Sequence, residues 1–155
     1  PTHHFGSMAG LLTQVARRSY EALGKQLAGA AEGLEGNAAL RALTAVYVRF
    51  ARDYTGRFRL MGRTDLIELE DDDLRAAVYR AMRPLAAAAA GTRGLGVPTP
   101  EFERLDPRLI AAIIPAHGLA HLATEGRLAA TMRSGEVDAQ AQDALVDEVL
   151  RALWP

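Results

Sequence analysis

Apolar side chains recur every three or four positions along almost the whole chain. Leu40, Leu43, Tyr47, Phe50 and Tyr54 form one such series, and Leu74, Ala77, Val78, Ala81, Met82 and Leu85 another. A helix turns once in 3.6 residues, so this spacing lays the apolar groups along one stripe, whereas a half-buried strand would alternate them. Strand signals are almost missing, and Ala, Leu, Arg and Glu, all strong helix formers, dominate. The expected fold is all-α, a bundle of about six helices.

Capping residues divide the pattern. Ser7 is a good N-cap for a helix with Met8, Leu11, Leu12, Val15, Leu23 and Leu27 on one side, ending within residues 29–36. A second helix is expected over residues 37–54, with an unusually aromatic inner face. Gly56 and Gly62 then bracket a turn or brief helix holding Phe58, Leu60 and Met61. Asp71, Asp72 and Asp73 supply carboxylates to the free amides at the next helix start. Glycines, Pro98 and Pro100 break the period over residues 91–105, which read as a surface loop. Asp106 and Pro107 form a cap and first-turn pair opening a helix over residues 107–132. Asp138 caps the last helix, whose apolar residues cover more of its circumference than one core contact requires. One side is expected to face the core and the other a partner subunit.

Length and composition remove several classes of function. A chain of 155 residues is enough for one domain with a substantial core and no staples. Without cysteine, thiol redox chemistry and thiolate metal sites are excluded. No apolar run approaches the roughly 20 residues that span a bilayer, and no secretory signal is evident, so no membrane partner and a cytoplasmic location are expected. A net charge of −1 with no basic block argues against nucleic-acid binding by this portion alone. The preference for Arg over Lys, which occurs only at Lys25, reads as the codon bias of a GC-rich bacterial genome.

The beginning of the chain, Thr2, His3, His4, Phe5, Gly6, Ser7, Met8, resembles the exit of the helix-turn-helix in TetR-type transcriptional regulators, where a reading helix gives way to a long linking helix. Met8 stands where that family usually has Lys, keeping the helix-start amides that attract phosphate but not the charge. On this resemblance residues 1–6 are a remnant of the DNA-binding unit and residues 7–155 an effector-binding and dimerisation domain. Thr2, His3, His4 and Ser7 would touch operator DNA only in the intact protein. A tag and cloning scar is the competing reading of His3, His4 and Gly6 to Met8, although Phe5 interrupts any tag.

The second half carries a further resemblance. Ile113 to Leu122, with His117–Gly118 at its centre, followed by Glu125, Gly126, Arg127 and Leu128, is similar to the His-Gly signature in one class of TetR C-terminal domains. The Trp that precedes His-Gly in that class is replaced here by Ile or Pro. The resemblance implies a helical body around a cavity for a small, largely apolar effector, with no cofactor. It also implies a homodimer in which the last two long helices join their symmetry mates in a four-helix bundle. Leu109, Ile110, Leu145, Val149, Leu150 and Leu153 are the expected interface residues.

Candidate pocket residues follow from side-chain character. Tyr47, Phe50, Tyr54, Phe58, Met61, Tyr79 and Met82 supply the amphipathic rings and deformable thioethers that suit varied apolar ligands. Ile114, His117 and His121 join them from the His-Gly helix. His117, His121 and Glu125 lie four apart, presenting two imidazoles and a carboxylate on one stripe. A zinc protease would need Glu where Gly118 stands, so no metal site and no catalysis are assigned, the rival being a helical metal-dependent enzyme. A dimerisation module with a filled interior is the third reading. Pro84 and Pro115 each remove one helical hydrogen bond, and Arg49, Arg57, Arg59 and Arg63 read as a solvated face.

Overall fold

A computed structural model describes residues 6–97, 99, 106–131 and 138–155, with the side chains of 129 and 131 outside that description. Thr2, His3 and His4 therefore lie outside the described residues. Seven helices and no strand occur among those described: α1 (Met8–Ala30), α2 (Gly36–Asp53), α3 (Thr55–Met61), α4 (Asp72–Gly91), α5 (Pro107–Thr124), α6 (Arg127–Thr131) and α7 (Ala139–Leu153). The all-α expectation holds, and none of these helices is long and apolar enough to cross a membrane.

Four helix starts are fixed by the expected side chains. Ser7 Oγ accepts from the Gly10 amide, Asp71 from that of Leu74, Asp106 from that of Arg108 and Asp138 from that of Ala141. Each satisfies an amide that the helix itself leaves unpaired. The segment around Phe58 is a brief helix, α3, rather than a plain turn. The helix expected over residues 107–132 is corrected: α5 stops at Thr124, Glu125 caps it, and Gly126 at φ 69 turns the chain before α6. Leu128 continues the apolar period and disguised that break, but only the glycine tolerates the left-handed backbone.

α1 and α4 pack at close range. A Cβ added to Gly24 would lie 3.0 Å from Ala81 Cα, so the two backbones meet there directly. Around this crossing, Ala16, Ile67 and Leu74 form a small buried cluster flanked by Leu12, Tyr20, Leu60 and Val78. Buried Thr13 adds a polar tie, donating to the Ala9 carbonyl (2.8 Å) and accepting from the Glu68 amide (2.9 Å). The link from α3 to α4 is thereby fastened to the first turns of α1.

The main core runs through Leu23, Leu27, Leu40, Leu43, Phe50, Leu85, Leu119 and Leu150, joining α1, α2, α4, α5 and α7. α7 lies antiparallel to α2. Arg52 near the end of α2 bonds Asp143 early in α7 (2.7 Å), whereas Asn37 and Arg41 near its start reach the carbonyls of Pro155 and Trp154. Thr44 is 0% exposed on α2, and its hydroxyl has no hydrogen-bond partner among the described residues. Removing an unsatisfied buried hydroxyl while keeping the shape relieves a desolvation penalty. Thr44→Val is therefore expected to raise folding stability by about 1 kcal/mol, measured by urea denaturation; a loss of stability would show that the hydroxyl is paired.

Candidate functional site

Between α1, α2, α4 and α5 lies a cavity of about 910 Å³, open to solvent on one side. Ligand cavities for small organic molecules commonly fall in this size range. α1 contributes Tyr20 and α2 contributes Tyr47. α5 contributes Leu109, Ile113 and His117, one helical face at steps of four. α4 supplies the longest wall, with Leu74, Val78, Tyr79, Met82, Leu85 and Ala86 inside and the exposed Asp72, Arg75, Arg80 and Arg83 bringing charge to its solvent side. Leu69 and Thr99 complete the rim.

One polar contact joins two of the walls. Tyr47 Oη and His117 Nδ1 are 2.8 Å apart, their rings edge to face at 5.3 Å between centroids. Tyr47 is 4% exposed. Burial, with Tyr20 nearby, holds its phenol well above the ordinary range. His117 is shifted the other way, because burial and then the neighbouring His121 disfavour the imidazolium. Both groups are thus neutral at pH 7. Tyr20 donates to the Met61 carbonyl at 3.3 Å, and burial raises its phenol too.

Tyr47, Tyr79, Met82 and His117, all expected at the pocket, are brought together on its wall. Phe50, Phe58 and Met61 are buried in the core outside that wall. Phe58 nevertheless backs it, packing edge-on against Tyr47 at 5.7 Å and against His121 at 5.3 Å. Tyr54 is 42% exposed, with Phe50 on one side and the Arg57 guanidinium over its ring. Ile114 (59% exposed) and His121 face outward on α5. Of the residues expected at the dimer interface, Ile110 and Leu153 are exposed and Leu145 and Val149 half-buried, but Leu109 and Leu150 are inside the subunit core. Ser7 is exposed, its hydroxyl engaged as a cap and 3.4 Å from Glu68 Oε1.

The stripe of His117, His121 and Glu125 does not converge. His117 bonds Tyr47, His121 meets Phe58 edge to face and Glu125 is 3.8 Å from Arg127. Among the described residues no three His, Asp or Glu side chains are grouped to hold a metal ion. Of the four surface arginines, Arg59 bonds the Thr124 carbonyl and Arg63 pairs with Asp65.

Comparison with known families then decides the class. The family of tetracyclin repressor-like C-terminal domains matches residues 40–153, from α2 through α7. The chain belongs to this family. No curated protein and no solved structure matches it. In a tetracyclin repressor-like C-terminal domain, membership points to a regulator rather than an enzyme. The matched span holds most of the cavity wall, while Tyr20 and the α1 side of the Gly24 contact precede it.

Sequence reasoning passed over Tyr20, Asp72, Arg75, Arg83, Leu109 and Ile113 as cavity residues. Tyr20 follows Ala16 by four and precedes Leu23 and Leu27 by three and seven, a helical spacing that places it on the inward side of α1. The α4 charges gave a weaker signal, since Asp72, Ala76, Tyr79 and Arg83 mix polar and apolar groups along one stripe.

Proposed function

We propose that the chain is the effector-binding and dimerising part of a ligand-responsive transcriptional regulator, a cytoplasmic repressor whose operator affinity is set by a small, largely apolar molecule. The observation that carries this is a cavity bounded by both α1 and α5 in a member of this family. Tyr20 lies on the helix that leads, at its Ser7 end, toward the expected DNA-binding head. A ligand that favours one setting of α1 against the rest shifts regulation by its difference in affinity for the two arrangements; equal affinity would shift nothing. Native mass spectrometry of the purified chain tests this directly. Retained or added apolar ligand on a dimer supports it, and a chain that takes up none overturns it.

Dimerisation is supported by the outer side of α5. Between Arg108 and Glu125 the helix has no Asp, Glu, Lys or Arg, and its exposed residues include Ile110, Ala111, Ile114 and Gly118. A two-fold axis would set this patch against its own copy, as closed dimers require. Ile114→Asp then places facing carboxylates in an apolar contact and is expected to weaken the dimer on the order of a hundredfold. Analytical ultracentrifugation across a concentration series measures it; an unchanged dimer would move the interface elsewhere.

A further inference from the structure

The hydrogen-bonding pair inside the cavity specifies the ligand more closely than cavity size does. If Tyr47 donates to His117 Nδ1, the imidazole carries its proton on Nε2, and that N–H remains unspent. If Nδ1–H donates instead, the phenol O–H is the unspent donor and Nε2 an unspent acceptor. In either arrangement the pair retains one donor and at least one acceptor, and neither side chain makes a second hydrogen bond among the described residues. The pair holds no charge and contacts none, the cavity's charged side chains being exposed groups of α4. Around it the wall is mostly apolar, and Tyr20, Tyr47 and Tyr79, three of the four tyrosines in the chain, supply ring surface.

We infer that the cavity takes an uncharged, predominantly apolar molecule with a flat ring body and a hydroxyl or carbonyl group that hydrogen-bonds to the Tyr47–His117 pair. This rests on the cavity being the effector site. An ionised headgroup is disfavoured because it would have to leave water for a neutral partner. A neutral hydroxyl matches the pair, giving and receiving one hydrogen bond.

Three probes of nearly one shape separate the possibilities: naphthalene, 2-naphthol and 2-naphthoate, titrated into the purified full chain by calorimetry at pH 7. 2-Naphthol is expected to bind about tenfold tighter than naphthalene, the worth of one well-made hydrogen bond. In Tyr47→Phe that preference, read as the ratio of the two affinities in the same variant, should shrink to about twofold. His117→Leu, which removes both ring nitrogens, serves as a second variant for the same loss, should Tyr47→Phe fold poorly by circular dichroism. Equal binding of naphthalene and 2-naphthol to the native chain, a preference that survives both variants, or tightest binding of 2-naphthoate would each overturn the inference while leaving an effector cavity in place. Binding of none of the three would remove the cavity function and this inference with it.

Discussion

Phe50→Ala is expected to cost about 3–5 kcal/mol of folding stability, the range for emptying a large aromatic from a packed core. Phe50 is 1% exposed on the inner face of α2 and belongs to the cluster that joins α2 to its neighbours. Single domains have only about 5–15 kcal/mol in total, so the variant should lose a large part of its margin. The comparison that makes the test specific is Tyr54→Ala. Tyr54 lies tilted against Phe50 with centroids 5.1 Å apart, yet it is 42% exposed and its loss is expected to cost about 1 kcal/mol or less. Urea melts of the two variants should differ by several-fold in the stability lost. Similar losses would mean that the aromatic series along α2 acts as one surface cluster rather than as a core anchor beside an exposed ring.

Gly24→Val should produce the second large effect, and by the opposite route. Its Cβ would approach Ala81 Cα at 3.0 Å and Ala81 Cβ at 3.3 Å before either γ carbon is placed. Backbone cannot swing aside as a flexible side chain would, so α1 and α4 must move apart, costing about 1–3 kcal/mol or more. Gly24→Ala brings the same first contact, but the helix propensity gained over glycine, about 1 kcal/mol, offsets it. Hydrogen exchange followed by mass spectrometry is the discriminating measurement. Faster exchange should be confined to α1, α4 and the segment tied to Thr13, with α2 and α7 still protected. A Gly24→Val protein as stable as the parent, with unchanged exchange, would show that the two helices are not in backbone contact.

Much of the fold was legible because helix starts are written in chemistry. Ser7, Asp71, Asp106 and Asp138 each combine a side-chain acceptor with a following apolar period, and each caps the helix it was expected to cap. The end of α5 was harder to see, since Gly126 is one residue among apolar neighbours and its backbone angle has no trace in composition. The candidate site was legible only in part. Tyr47 and Phe50 have similar bulk and lie three residues apart on one helix, yet one lines the cavity and the other fills the core. A turn of helix brings both to the interior, and only the packing of other helices decides which ring meets empty space. Sidedness failed for a related reason on α5, where apolar residues on every side leave Leu109 and Ile110 equally good candidates for inside and outside.

α4 is clasped by α1 on one side and borders the cavity on the other, and Leu74 and Val78 take part in both. The shape of the cavity and the seating of α1 cannot therefore drift independently over evolutionary time. A substitution at Leu74 or Val78 that reshapes the cavity also disturbs the packing against Ala16, so inherited changes on that wall should arrive paired with adjustments in α1.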